Sequence, residues 1–144
     1  MSLRAVAYIS TAVAGLSNDD LDHLLVDARA HNQVAGVTGV LLFDGQRFFQ
    51  YFEGPEDGME RAYERIRQSR MHVELQELHN DVVDARHFSQ WHMGCTHTEG
   101  SVLQQLSTRQ WQREVEYLED DAAQPGASPA LRELLDFWMA VGTA

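Results

Sequence analysis

Cysteine is nearly absent from this chain of 144 residues, whose only thiol belongs to Cys95. A single cysteine excludes an internal disulfide and is typical of a reducing compartment, which predicts a cytoplasmic location. The sequence also contains no run of about 18 apolar residues, and the N-terminal MSLRAVAYIS lacks the basic-then-apolar plan of a signal peptide. We therefore expect neither a membrane span nor a secretory leader.

Positive charge is also scarce. Lysine and arginine together number 11 against 22 aspartates and glutamates, and the formal net charge is −11. Proteins that bind nucleic acid without regard to sequence rely on Lys and Arg against phosphate, so this balance argues against direct nucleic-acid binding. No repeat, low-complexity run or second domain is apparent, and the length with 44% hydrophobic residues fits one domain with an ordinary core.

The periodicity of the apolar residues predicts both strands and helices. Alternating or continuous apolar stretches indicate strands, and apolar residues at i, i+3, i+4 and i+7 indicate helices. The predicted strands cover residues 3–10, 37–43, 47–55 and 73–83, with a fifth around Met93, and the predicted helices run from about 18 to 32 and from about 55 to 70. The order β-α-β-β-α-β plus one strand is typical of a ferredoxin-like α+β fold, an antiparallel sheet with two helices on one face.

Local signals indicate where the two helices begin. Ser17 and Asp20 fit a capping box, in which each residue satisfies the backbone N–H of the other. Pro55 stands at the position of a first helical residue, where its missing N–H costs nothing. The stretch 73–83 alternates imperfectly, which indicates a β-bulge.

Residues 98–144 are predicted to form a helical cap on the second face of the sheet. Phe49 and Tyr51 would meet water there unless the tail covers them. Two amphipathic stretches flank a linker at 122–129, and their apolar faces comprise Trp111, Val115 and Leu118 in the first and Leu131, Leu134, Leu135 and Trp138 in the second. We therefore expect a core over residues 1–97 and a C-terminal cap that belongs to the same domain.

The stretch RFFQYFEGP, residues 47–55, places an uncharged amide where an aliphatic side chain would pack better. If the alternate aromatic residues face the tail, Gln50 points toward the helix pair, and Tyr8 on the neighbouring central strand faces the same layer. Asn32, at the end of the first helix, can reach the same space. A buried amide and a buried phenol need hydrogen-bond partners. The three residues are compatible with satisfied structural positions or with a ligand pocket, in which a few polar groups stand among apolar walls.

Several separated motifs match one known family. They are AYIS in the first strand, ARAHNQVAGVTGVLLFDGQRFFQYFEGP across the centre, and HFSQWHMG near the end of the core. On these motifs the chain resembles the BLUF domain, the flavin-binding sensor of blue light, over about residues 3–97. The resemblance implies a blue-light photoreceptor rather than an enzyme. Such a photoreceptor would bind flavin non-covalently and signal to a separate protein partner.

The resemblance also implies a role for each matching residue. Tyr8 would donate an electron and a proton, Gln50 would bridge the phenol and the flavin ring, and Asn32 would hydrogen-bond the polar edge of the ring. Trp91 and Met93 would be the switching residues, with Ser10 within reach of them. The other implied cofactor-binding residues are His31, where many members carry a second Asn and some a His, Arg65 near the pyrimidine side, Leu24, Leu25 and Ile66 around the ring, and Phe48 and His72.

One stretch departs from the family pattern. The usual Asp-x-Arg-His reads SRMH here, so Ser69 and Met71 replace an acidic and a basic residue while His72 remains. The resemblance implies FAD as the cofactor, and the loss of these two charges leaves FMN and riboflavin as alternatives. The departure also leaves open a second function, a light-insensitive ferredoxin-like interaction module that has lost its flavin. We expect a homo-oligomer and no metal site.

Overall fold

The computed structural model describes residues 3–43, 46–84, 86, 94–96 and 129–142. Its elements are β1 (Leu3–Ala12), α1 (Asn18–Ala35), β2 (Thr38–Phe43), β3 (Arg47–Pro55), α2 (Glu56–Gln68), β4 (His72–Val83), β5 (Gly94–Thr96) and α3 (Pro129–Gly142). This order confirms the predicted β-α-β-β-α-β core. Within the described ranges, no helix has both the length and the apolar character needed to cross a membrane.

The sheet has the strand order β4-β1-β3-β2-β5. The first four of these strands pair antiparallel, and the short β5 pairs parallel with β2. β1 and β3 are therefore central neighbours, as predicted, and Tyr8 lies directly opposite Gln50 in their ladder. Because directly opposed residues point to the same face of a sheet, the phenol and the amide share one layer.

α1 begins and ends with hydrogen bonds that its sequence favours. The Asp20 N–H donates to Ser17 Oγ and the Ser17 N–H donates to Asp20 Oδ2, both at 3.0 Å, which confirms the capping box. At the other end Gly36 takes a φ of 73°, in the left-handed region that glycine adopts without strain, and its N–H donates to the Asn32 carbonyl.

The prediction that Pro55 is the first residue of α2 is wrong by one position. Pro55 precedes the helix with φ −64° and ψ 151°, and α2 begins at Glu56. The reason is that Pro55 still belongs to β3, where it lies opposite Leu3 in the ladder with β1, so its ψ stays extended. Its fixed φ suits both the end of a strand and the approach to a helix.

Each face of the sheet carries its own apolar core. The face toward α1 and α2 combines Val6, Tyr8, Leu41, Phe43, Phe48 and Phe52 of the sheet with Leu21, Leu25, Met59, Ala62 and Tyr63 of the helices. The opposite face combines Ala5, Ala7, Val40, Leu42, Phe49 and Tyr51 with Ala130, Leu134, Leu135 and Phe137 of α3. The alternation read from RFFQYFEGP is thus confirmed, because Phe49 lies under α3, with its ring centroid 5.4 Å from that of Phe137.

α3 is the described part of the predicted cap. Its Leu134 and Leu135 are buried against the sheet, and His79 Nε2 of β4 lies 3.3 Å from Glu133 Oε1 of α3. The first predicted tail helix, with Trp111, Val115 and Leu118, lies outside the described residues, as do the side chains of Leu131 and Trp138.

β4 is an edge strand with an irregular ladder. Its pairing with β1 shifts register between Ala7 and Tyr8, and again between Ile9 and Thr11. Near the second shift Glu74 adopts a φ of 56°, which is rare for a residue with a side chain. These irregularities confirm the predicted bulge, which bends the strand and leaves part of its backbone unpaired.

Candidate functional site

A cavity of about 350 Å³ lies between α1, α2 and the sheet. This volume falls within the range of small-molecule sites. Nine of the ten residues predicted to bind a cofactor line the cavity, namely Tyr8, Leu24, Leu25, Asn32, Phe48, Gln50, Arg65, Ile66 and His72. The two residues that depart from the family pattern, Ser69 and Met71, line it as well.

Tyr8 and Gln50 form a polar pair in the cavity wall. Only 3% of Tyr8 and 6% of Gln50 is exposed, and the Tyr8 hydroxyl donates to Gln50 Oε1. Burial, and secondarily Tyr63, raises the pKa of Tyr8 above its ordinary value, so the phenol keeps its proton and acts as a donor. Because the carbonyl end of the amide accepts from the phenol, the other end of Gln50 carries the N–H donors.

Asn32 is buried although it lies in the last turn of α1. Its backbone carbonyl accepts from the N–H of Gly36 and, at 2.9 Å, from the N–H of Val37. The two bonds fix the end of the helix, and the Asn32 side chain joins the lining of the cavity. A second amide is thus held at a defined position in the same space.

The two helices approach one another closely at a glycine. A Cβ on Gly58 of α2 would lie 2.0 Å from the carbonyl oxygen of Ala35 in α1, far inside any real contact. A larger residue at this position would push the two helices apart. Gly58 therefore helps to set the spacing between α1 and α2, and with it the width of the cavity.

Arg65 and Asp27 bring one charge of each sign to the cavity lining. Burial lowers the pKa of Arg65, and the neighbouring Asp27 carboxylate opposes that shift. Because a guanidinium stays protonated in proteins, Arg65 faces the cavity as a cation with several fixed donors.

His72 joins β1, α2 and β4 beside the cavity. Its Nε2–H donates to the Ile66 carbonyl at 2.8 Å, so in the neutral ring Nδ1 accepts from the Ser10 hydroxyl at 2.7 Å. The ring centroids of His72 and Tyr8 are 5.8 Å apart. Ser10, predicted to lie within reach of the switching residues, is buried and contacts His72 without lining the cavity itself.

His31 is not among the residues that line the cavity, and its contact with the cofactor stays a prediction. Its side chain is 53% exposed, and its Nε2 lies 3.5 Å from Asp27 Oδ1, one helical turn away. Trp91 and Met93 lie outside the described residues, and their switching role stays a prediction.

Three residues that join the elements around the cavity were not predicted as site residues from the sequence: Tyr63, Glu77 and Arg86. The Tyr63 hydroxyl donates to Glu77 Oε2 at 2.6 Å. Arg86 donates to the Gly36 carbonyl at 2.7 Å and to Thr38 Oγ1 at 2.9 Å. In the sequence Tyr63 is part of the apolar stripe of the second helix, and no local pattern signals a contact between residues so far apart in the chain.

The side chains around the cavity fit a flat heteroaromatic group with a polar edge. Leu24, Leu25 and Ile66 offer apolar contact, while the amides of Asn32 and Gln50 each offer both a donor and an acceptor. An isoalloxazine ring has this character, with apolar faces and an edge that carries carbonyl oxygens, ring nitrogens and an N–H. Among the described residues, no three His, Cys, Asp or Glu side chains group as metal ligands.

Comparison with known families and curated proteins gives one consistent result. Residues 3–94 match BLUF, described as sensors of blue-light using FAD. The chain is similar to the blue light- and temperature-regulated antirepressor BluF of Escherichia coli (strain K12), with 38% identity over 68 residues, 47% of this chain and 17% of that protein. It is also similar to photoactivated adenylate cyclase subunit beta of Euglena longa, with 32% identity over 91 residues, 62% of this chain and 11% of that one. The chain thus spans less than a fifth of the length of these curated relatives.

Solved structures extend the similarity to the fold. Klebsiella pneumoniae BlrP1 with FMN and cyclic diGMP matches with a TM-score of 0.70 and 26% identity, over 94% of this chain and 34% of that one. The family match over residues 3–94, the similarity of fold and the hydrogen bond between Tyr8 and Gln50 therefore point to one family. The chain belongs to the BLUF family, the sensors of blue light that use FAD.

Proposed function

We propose that the cavity binds a flavin non-covalently and that Tyr8 and Gln50 convert absorbed blue light into a rearranged set of hydrogen bonds. The observation that carries this proposal is the hydrogen bond from the Tyr8 hydroxyl to Gln50 Oε1 in a buried layer of the cavity wall. A hydrocarbon at position 50 would pack well but would have no hydrogen bond to exchange. The amide is therefore present for switching rather than for packing.

Each lining residue has a binding task in this proposal. The Asn32 amide hydrogen-bonds the polar edge of the ring, and Arg65 donates on the pyrimidine side. The apolar contacts come from Leu24, Leu25, Ile66 and Phe48, with the ring of His72 beside them. Burial of the ring between two helices supplies most of the affinity, since apolar area removed from water dominates the binding of flat aromatic groups.

The cavity selects the tail of the flavin less strictly than its ring. FAD is the cofactor of the family, and the related BlrP1 structure contains FMN. In this chain Ser69 and Met71 line the cavity with neutral side chains, so neither offers a charge to a phosphate. We infer that the ring dominates recognition, with FAD as the expected cofactor and FMN or riboflavin able to replace it.

When bound, the flavin supplies a chromophore that absorbs blue light and then accepts an electron from a nearby donor. Tyr8 is that donor, and a phenol that loses an electron becomes strongly acidic, so its proton leaves along the bond to Gln50 Oε1. The Gln50 amide accepts at one end and donates at the other. After the electron and proton return to Tyr8, the amide is left rotated or tautomerised, with new partners. In a buried layer of low dielectric, one exchanged hydrogen bond is enough to store the signal.

The signal leaves through the chain that follows β4, which carries Trp91 and Met93 in sequence. One exchanged hydrogen bond supplies about 1 kcal/mol, which can shift a docking or assembly equilibrium but cannot unfold a domain. We expect a homo-oligomer whose contact with a separate protein changes in the light. The relatives named as an antirepressor and as adenylate cyclase subunits illustrate two kinds of output.

The test is an absorption spectrum of the purified protein before and after blue light. We expect a yellow protein whose spectrum shifts to the red and recovers in darkness. Tyr8→Phe and Gln50→Leu should keep flavin and lose the shift, whereas Tyr51→Phe, which removes a phenol from the opposite sheet face, should keep both. A flavin-loaded protein without a reversible shift would defeat the photoreceptor, and a colourless protein that takes up no flavin on refolding would favour the light-insensitive interaction module.

A further inference from the structure

Tyr63 of α2 stacks on Tyr8. The ring centroids are 6.4 Å apart and the ring planes are inclined by 15°, which is within the range of attractive aromatic pairs. Tyr63 is buried but is not among the residues that line the cavity. A second phenol therefore lies directly beside the first, one step further from the cavity.

The hydroxyl of Tyr63 has a stronger proton acceptor than the hydroxyl of Tyr8. It donates to Glu77 Oε2 at 2.6 Å, and Glu77 lies directly opposite Tyr8 in the ladder between β1 and β4. A carboxylate is a far stronger base than the carboxamide that accepts from Tyr8. Glu77 is also exposed, so a proton that it receives can exchange with water.

A cation beside Tyr63 makes the loss of an electron from its ring depend on the loss of its proton. The guanidinium carbon of Arg67 lies 4.1 Å from the centroid of the Tyr63 ring, and a cation over an aromatic face opposes positive charge on that ring. Loss of an electron from Tyr63 is therefore favourable when its proton leaves at the same time. At rest, burial and then Glu77 raise the pKa of Tyr63, so the phenol stays protonated.

We propose that Tyr63 is a secondary electron donor that reduces Tyr8 after light has oxidised it. In this step one electron passes from Tyr63 to the Tyr8 phenoxyl radical. The O–H bond of Tyr63 breaks and its proton forms an O–H bond on Glu77, while the proton that left Tyr8 toward Gln50 returns to the Tyr8 oxygen. The products are a neutral Tyr8, a Tyr63 phenoxyl radical and a protonated Glu77. Because the photo-excited flavin is what oxidises Tyr8, this role of Tyr63 rests on the proposed function.

The transfer moves the oxidised site away from the cavity by one ring. The electron vacancy then sits on α2 beside an exposed carboxyl group, and a restored phenol again faces Gln50. Return of the electron to Tyr63, with the proton from Glu77, regenerates the starting state without consuming any reagent. The Tyr63–Glu77 pair should therefore prolong the separation of charge after a flash.

The experiment is transient absorption and trapped-radical electron paramagnetic resonance on flavin-loaded protein with ring-deuterated tyrosine. Deuteration changes the hyperfine pattern of tyrosyl radicals and so separates them from other radicals. We expect a long-lived tyrosyl radical in the wild type, and its loss in Tyr63→Phe and in Glu77→Gln, which keeps the shape of the acceptor but removes the base. Tyr51→Phe should keep the radical. A long-lived radical that persists in Tyr63→Phe, or its absence from a wild type that photo-oxidises Tyr8, would overturn the proposal.

A second measurement needs no light. In protein labelled with ¹³C at tyrosine Cζ and kept in darkness, the Tyr63 resonance should move as acid protonates Glu77, and this step should be missing in Glu77→Gln. A Tyr63 resonance that moves neither with acid nor with the Glu77→Gln substitution would show that Glu77 does not accept from the Tyr63 hydroxyl. That result would overturn the proposal. If light oxidises no tyrosine in the wild type, the proposed function fails, and the resonance still decides whether Tyr63 and Glu77 are paired.

Discussion

Arg86 donates a hydrogen bond to the Gly36 carbonyl oxygen at 2.7 Å, which ties the chain just beyond β4 to the turn that ends α1. The same guanidinium donates to Thr38 Oγ1 at the start of β2, at 2.9 Å. Gly36 in turn donates to the carbonyl of Asn32, whose side chain lines the cavity. One arginine therefore connects the segment after β4 with the helix end that holds a cavity amide.

Replacing Arg86 with Gln should loosen the end of α1. Hydrogen bonds from a charged donor contribute about 1.5–3 kcal/mol, so we expect the free energy of unfolding to fall by about 2 kcal/mol. The backbone N–H of Val37 should exchange with deuterium faster than in the wild type. Urea unfolding and amide exchange measure the two effects, with Arg61→Gln at an exposed position of α2 as the control. Unchanged protection of Val37 would mean that Arg86 does not hold the turn.

Gly58→Ala should lower the free energy of unfolding. Helix propensity alone would predict the opposite, since alanine is more favourable than glycine inside a helix by about 1 kcal/mol. The new Cβ would lie 2.0 Å from the Ala35 carbonyl oxygen, and overpacking of this kind costs about 1–3 kcal/mol. Because the clash separates α1 from α2, flavin affinity should fall as well. Thermal unfolding and a flavin fluorescence titration measure both effects, and Glu60→Ala on the exposed face is the control. A variant more stable than the wild type would rule out the close approach of the helices.

Asp20→Asn should lower the free energy of unfolding at neutral pH, and the loss should be smaller in acid. The hydrogen bonds with Ser17 lower the pKa of Asp20 in the folded state. Its contribution to stability is therefore present above the unfolded-state pKa of about 4 and is lost as the pH falls through the folded-state value. Urea unfolding at several pH values checks this, with Asp19→Asn, outside the capping box, as the control. A difference from the wild type that stays constant into acid would contradict the assignment.

Leu134→Ala tests whether α3 belongs to the same cooperative unit as the sheet. The exposure of Leu134 is 0%, and truncation of such a core leucine costs about 2–5 kcal/mol. We expect a single unfolding transition at lower denaturant, with coincident curves from circular dichroism and fluorescence. Asp136→Ala, exposed on the same helix, should stay close to the wild type. If the sheet unfolds at an unchanged denaturant concentration, α3 docks without contributing to its stability.

The sequence predicted those features that depend on local patterns. Alternation in RFFQYFEGP assigned Gln50 to the helix face and Phe49 to the α3 face, and both assignments follow from the two-residue period of a strand. The capping box of Ser17 and Asp20 depends on residues three apart, so it too was readable. The pairing of Tyr8 with Gln50 was reached only by adding the strand order that the ferredoxin-like plan implies.

Contacts between distant residues were not predictable in this way. Nothing local relates Tyr63 to Glu77 or Arg86 to Gly36, because each pair is brought together by the packing of separate elements. A motif match likewise gives the position of His31 in the sequence but not its angle around the helix, and in the structure its side chain lies beside Asp27.

Among the strands that the structure describes, β4 is the last on its side of the sheet, and the edge of such a strand can pair with strands of other molecules. Here two register shifts and the left-handed Glu74 interrupt the edge, and Glu77 and Asp81 add exposed negative charge to it. A second copy that approached this strand would meet an interrupted row of backbone hydrogen-bonding groups, and charge of the same sign as its own. We therefore expect the protein to resist edge-to-edge aggregation at high concentration, and its assemblies to use a different surface.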